Sequence, residues 1–229
     1  MDTALLTTGL ASAVFVLSHV GLSSDPVRSR IVGRIGENPF RGLYSLVALL
    51  ALGAMIAAYA NASGQVYLWP PGPGVRHLPL LIMPISLILI AGGMTTPNPS
   101  AVGMEDNLDR SDLVKGVLRI TRHPMMWGIV LWAAVHILAN GDLASMLFFG
   151  GLLLTAGVGS FHLDRRMASS QGERWQRFAA TTSYIPFAAI LTGRQSLVFA
   201  ELRRAVLLGL GIFVVLLLLH PYLFGVRPY

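Results

Sequence analysis

The chain predicts an all-α, polytopic integral membrane protein with about six transmembrane helices, both termini outside, and short amphipathic helices on the cytoplasmic side. Three observations carry this. Of 229 residues, 12% are charged, against about 25% in a typical soluble domain. Mean hydropathy is +0.63. The apolar residues fall into runs near the roughly 20 residues that a bilayer core about 30 Å thick requires, and the basic residues gather in the loops between them.

The first run, Thr3–Leu22, follows Asp2 and no Lys or Arg. No small-residue cleavage pattern follows it, so it reads as a retained span and not as a signal peptide. A loop with Arg28, Arg30, Arg34 and Arg41 leads to a second span, Leu43–Ala60. Beyond it, Leu68–Gly74 is turn-rich, with Tyr67 and Trp69 suited to the membrane interface. The third span is Leu78–Met94. After TTPNPS, residues Leu113, Val114, Val117, Leu118 and Ile120 recur at helical spacing, which predicts a short amphipathic helix lying on the membrane.

Pro124 opens the fourth span, Pro124–Ala139. Proline suits the first turn of a helix, where its missing N–H has no partner to lose, so His123 stands at a helix N-terminus. Asn140-Gly141-Asp142 separates it from the fifth span, Leu143–Phe161. Asp164-Arg165-Arg166 then reads as a solvated ion pair within its own loop. A basic interfacial helix anchored by Trp175 and Phe178 follows. Tyr184–Leu191 is too short to cross a bilayer and contains Pro186, which suggests an interfacial or re-entrant piece. Ala205–Phe224 is the sixth span.

Of the 17 Lys and Arg residues, only Arg76 and Arg227 fall outside the three segments that six spans place on one side. By the positive-inside rule that side is cytoplasmic. Residues 1–229 therefore read as one transmembrane domain. With no cysteine, disulfides, thiolate metal sites, Fe–S clusters and Cys nucleophiles are excluded. The net charge of +6 is explained by topology, so the expected partners are membrane lipid and a lipophilic or small gaseous ligand, with no nucleic acid.

Six histidines remain. His19 and His136 lie inside apolar runs, where an ionisable or ligating side chain is costly and points to a site. Neutral imidazole is a common ligand for haem iron and zinc; equally, each ring could donate one hydrogen bond to a neighbouring helix. Upright helices put His19 toward the cytoplasmic half and His136 toward the outer half, about 15 Å apart in depth. Arg122 and His123 offer a cation and an imidazole at a helix N-terminus, where the dipole favours an anion such as a haem propionate or the carboxylate of S-adenosylmethionine; contact with lipid headgroups is the alternative.

The stretches SHVGLSS (Ser18–Ser24), FRGLYSLVAL (Phe40–Leu49), GVLRITRHPMMWG (Gly116–Gly128), VHILANGD (Val135–Asp142), DRR with GERW (Asp164–Arg166, Gly172–Trp175) and TSYIPFAAILTGRQ (Thr182–Gln195) together resemble the NnrU family of bacterial membrane proteins. The resemblance covers nearly the whole chain. It implies a multi-pass protein of the bacterial inner membrane, associated with nitrite and nitric oxide metabolism in denitrification or, as in the family's cis-zeta-carotene isomerase, with polyene isomerisation on a haem b. The isomerase's ligating histidines fall on His19 and His136, with Arg122 and His123 as further cofactor-binding candidates. A reduced iron that releases one axial ligand would contact the polyene and lower the barrier to cis–trans rotation.

A more distant likeness is to S-adenosylmethionine-dependent membrane methyltransferases, which share the RHP element, Gly128 and a Gly-x-x-aromatic helix. Here the acidic pair of those enzymes has become Leu163-Asp164. An isomerase is therefore favoured over a methyltransferase, with a haem-free accessory protein of a respiratory complex as a third reading.

Overall fold

The computed structural model describes residues 2–62, 66–101 and 103–228. In chain order the helices are α1 (Thr3–Ser23), α2 (Asp25–Ile35), α3 (Glu37–Ala60), α4 (Pro73–Arg76), α5 (Leu78–Thr95), α6 (Pro124–Asn140), α7 (Leu143–Gln171), α8 (Glu173–Thr181), α9 (Ala188–Leu191) and α10 (Phe199–Phe224), with 3-10 turns at Glu105–Asp109 and Gly116–Arg119. Five segments are long and apolar enough to cross a membrane: α1, α3, α4 with α5 (Pro73–Thr95), α7 and α10. The shorter apolar helix α6 is the sixth segment expected. The protein is thus an all-α, multi-pass membrane protein. Leu49, Leu81, Leu207 and Leu218 are each about two-thirds exposed, a pattern that water tolerates poorly over large patches and lipid tails accept.

The chain forms two compact units, Met1–Arg76 with Ala133–His162, and His77–Trp132 with Leu163–Tyr229. In the first, the Asp2 carboxylate caps α1 by accepting from the Ala4 amide at 3.1 Å. Pro26 lies in the first turn of α2, and Gly36, at φ +86°, makes the bend into α3 that a side chain would strain. Leu5, Ala62 and Ala144 share one apolar cluster. Beside it, Asp142 caps α7, accepting from the amide and hydroxyl of Ser145 at 2.8 and 2.6 Å, while Tyr59 meets Ser145 at 2.8 Å. Midway along α1, the Ser12 hydroxyl donates to the Leu147 carbonyl at 2.6 Å.

In the second unit α5 packs along α10. A Cβ on Gly209 would lie 2.6 Å from the backbone N and Cα of Ile88, so the two helices meet backbone to backbone, as small residues permit in membranes. Gly128 makes a similar approach to Ser86 and Ile90, and the Ser86 hydroxyl donates to the Gly128 carbonyl at 2.7 Å.

Three expectations need correction here. Residues 113–120 do not form an amphipathic helix on the membrane. Gly116 sits at φ +57°, which breaks a helix, and only the 3-10 turn Gly116–Arg119 remains. Its apolar side chains feed two separate cores: Val117 and Ile120 join Leu89, Leu202 and Ala205, and Leu113 and Leu118 join Met167, Trp175 and Phe178. Helix α8 is amphipathic as predicted, but Trp175 and Phe178 are consumed by that second core and do not anchor it in lipid. Finally, α7 continues ten residues past Phe161 to Gln171, which carries Asp164 on a helix and not in a loop.

Candidate functional site

The best-built polar cluster lies in the second unit. Residues 120–123 run beside 183–187, held by Arg122 N–H to the Ser183 carbonyl (2.9 Å) and Phe187 N–H to the Ile120 carbonyl (2.8 Å). The Thr121 hydroxyl and the Trp127 indole N–H both donate to the Tyr184 carbonyl, at 2.7 and 2.8 Å. Phe187 itself adopts a left-handed φ of +66°, rare for a bulky residue and tolerated where surrounding contacts fix it. Pro124 then starts α6, and this frame aims the side chains of Arg122 and His123 at Asp164.

Arg122 donates from Nε to Asp164 Oδ1 at 2.9 Å and from Nη2 to Oδ2. His123 Nε2 lies 2.6 Å from Asp164 Oδ1. The imidazole is fully buried, and the edge of Tyr184 closes on it at 5.4 Å between ring centroids. The Arg122 guanidinium lies over the same ring, 5.9 Å from its centroid. An ionised carboxylate only accepts, so the proton of neutral His123 belongs on Nε2. Its Nδ1 then presents a bare lone pair, buried and without a hydrogen-bond partner among the described residues.

Burial holds the His123 pKa below the ordinary imidazole value; the Asp164 carboxylate opposes that shift and the Arg122 charge reinforces it. Because the folded pKa is depressed, the unfolded chain binds the extra proton first. The stabilising contribution of neutral His123 is therefore complete above about pH 6.5 and declines as pH falls through the folded value. Nitrogen-15 NMR of the ring in detergent is expected to report neutral His123 at pH 6; a ring already protonated there would contradict it.

The sequence reading of Asp164 as an ion pair within its own loop is corrected. It answers Arg122 and His123, 42 and 41 residues away. The spacing between the RHP element and the acidic position of the methyltransferases was the one sequence signal for this pairing; nothing signalled Tyr184. Both Asp164 oxygens are engaged by protein donors. The same pairing occupies Arg122, the cation expected to greet an anion.

His19 and His136 both fall in the first unit. His19 Nδ1 lies 2.7 Å from the Phe15 carbonyl one turn back, so that nitrogen carries the proton and Nε2 is left as the lone-pair donor. Its ring contacts Phe15 and Tyr44, at centroid distances of 4.1 and 5.6 Å. His136 stacks on Phe149 at 4.9 Å. His19 is seven residues beyond Ser12, which touches the Leu147 carbonyl, and Phe149 is two residues beyond Leu147. His19 and His136 thus sit at levels about 8 Å apart along the helices. Helix side chains lean toward the N-terminus of their own helix. Since α1 starts where α6 ends, at the Leu5, Ala144 and Asn140 end, the two rings lean toward a common level. An imidazole with one nitrogen fixed on a carbonyl, as in His19, suits an iron ligand. Of the remaining histidines, His220 Nδ1 lies 2.8 Å from the Val226 carbonyl.

The family model described as NnrU protein matches residues 6–228. The 15-cis-zeta-carotene isomerase, chloroplastic, of Arabidopsis thaliana is 31% identical over 189 residues, covering 80% of this chain and 50% of that protein. Its counterpart in Zea mays is 30% identical over 191 residues, covering 82% of this chain and 51% of that protein. The chain spans about half the length of the curated relatives it matches. No solved structure matches.

Proposed function

This chain belongs to the NnrU family, and on that premise we propose that it is a haem-b membrane protein acting as a redox-gated cis–trans isomerase of a polyene such as zeta-carotene. The observation that carries the reading is the identity, 30–31% across four-fifths of the chain, to two relatives named as 15-cis-zeta-carotene isomerases. The same preference over a role in nitrogen-oxide metabolism follows from those names. His19 and His136 would hold the haem iron. Such a centre would supply a one-electron couple able to weaken the double-bond character of a conjugated chain.

The rest is the work of this chain's own side chains. The Phe15 carbonyl holds the His19 proton on Nδ1 and so leaves the Nε2 lone pair for a ligand. Phe149 braces the face of His136 and Tyr44 the edge of His19, which limits both rings to a narrow range of orientations. Phe15 and Phe149 are buried and exclude water from the space beside them. A polyene is as apolar as a lipid tail, so it would enter and leave laterally past the exposed leucines and not through an aqueous channel.

The test is the visible spectrum of the detergent-purified full chain, oxidised and reduced, after supply with haem. A Soret band that shifts on reduction and is lost in His19→Ala and His136→Ala is expected. A colourless protein overturns the haem assignment. The membrane is proposed to be the bacterial inner membrane, with α6 as a sixth span and both termini outside, on the strength of the one-sided basic loops. A C-terminal alkaline phosphatase fusion is then expected to be active and a fluorescent-protein fusion dark; the reverse pattern would remove one span.

A further inference from the structure

Apart from the His123 cluster, the second unit carries an open cleft of about 580 Å³ between residues 108–119, α8 and the start of α10. Arg110, Lys115, Arg119, Arg174 and Arg177 line it with two carboxylates, Asp112 and Glu201, and a third, Asp109, pairs with Arg174.

Those carboxylates are already committed. Glu201 accepts Arg119 through both oxygens, at 2.8 and 2.9 Å, and the Gly116 amide at 2.7 Å. Asp112 is shared by Arg110 at 3.1 Å and Lys115 at 2.8 Å. Arg174 is tied to Asp109 and Gln171. Gln195 uses its carbonyl oxygen on Arg119, so what it has to offer is its NH2 group. Arg177 has no hydrogen bond or ion pair from its side chain among the described residues. The helix that carries it, α8, is pinned by Trp175 and Phe178 in the core.

What remains in the cleft is an excess of donors over acceptors: the Arg177 fork, the spare N–H groups of Lys115 and the Gln195 amide. We propose that this cleft binds a phosphate-bearing anion, with Arg177 and Lys115 as the charged donors. A planar guanidinium matches two phosphate oxygens at once. The volume lies within the range of small-molecule sites, large enough for a phosphorylated headgroup and more than a bare ion needs. Phe199, two residues before Glu201, is 76% exposed, so apolar surface for an acyl chain adjoins the cleft. The phosphate can belong to a lipid headgroup or to a soluble ester; the chemistry of recognition is the same.

The experiment uses the full chain in neutral detergent and measures calorimetric affinity for three probes: dioctanoyl phosphatidic acid, sn-glycerol 3-phosphate and the phosphate-free dioctanoylglycerol. Arg177→Gln is expected to weaken binding of the phosphate probes about tenfold, the loss of a charge-assisted hydrogen bond, and Lys115→Gln to act in the same direction. Arg203→Gln, an exposed cation outside the cleft, is expected to leave affinity unchanged. Binding of both phosphate probes, lost in Arg177→Gln, supports the proposal with a soluble source; binding of phosphatidic acid alone supports it with a lipid source. The proposal is overturned if neither phosphate probe binds, if dioctanoylglycerol binds as tightly as phosphatidic acid, or if Arg177→Gln and Arg203→Gln weaken binding equally.

Discussion

Replacing Asp164 with alanine is expected to lower the stability of the detergent-solubilised protein by about 3–5 kcal/mol, the range for removing one partner of a buried ion pair. Little of Arg122 and none of the His123 ring reaches solvent. Without the carboxylate, the guanidinium is left desolvated with its charge unanswered, and the Nε2 proton of His123 loses its acceptor. The substitution Asp164→Asn should cost less, since an amide oxygen still accepts. Combining Asp164→Ala with Arg122→Ala should recover part of the loss, because the uncompensated charge is gone. Thermal unfolding of the four proteins measures this. A double variant no more stable than Asp164→Ala alone would show that the ion pair is not the source of the effect.

Gly209→Val is expected to be the next most damaging change. Its Cβ would stand 2.6 Å from the backbone N and Cα of Ile88, atoms that cannot rotate away. Helices α5 and α10 must separate, and overpacking of this kind costs about 1–3 kcal/mol or more. Gly211, two residues on, has nothing within 4 Å of its Cβ position, so Gly211→Val is the matched control. A fall in unfolding midpoint for the first and none for the second is the expected pair of results; equal falls would point to helix propensity in place of the seam.

The long apolar helices were legible because composition alone decides them: lipid requires apolar side chains over a fixed length, and the basic residues mark the breaks. The polar parts were not so legible. Leu113–Ile120 has helical spacing, yet the same spacing serves a segment that turns at Gly116 and hands alternate side chains to two cores. Helix α7 outran its apolar stretch because Arg165, Arg166, Met167, Ala168 and Gln171 suit a helix as well as leucine does, so hydropathy ended before the helix did. Asp164 was misassigned for a related reason. Two arginines directly follow it, and only the fold brings Arg122 and His123 across some 40 residues to claim it. His19 and His136 were legible as candidates because imidazole in an apolar run is conspicuous. The hydrogen bond that selects the donor nitrogen of His19 belongs to rotamer geometry, which no linear pattern records.

The trio of Arg122, Asp164 and neutral His123 sums to zero formal charge. Moving one elementary charge through the full potential of an energised bilayer involves about 2.3 kcal/mol per 100 mV, and on a body of zero net charge a uniform field does no net work of displacement. Translated as a unit, the cluster is therefore indifferent to that field, so long as the imidazole stays neutral. A single proton on His123 would end that indifference and make the trio answer to voltage.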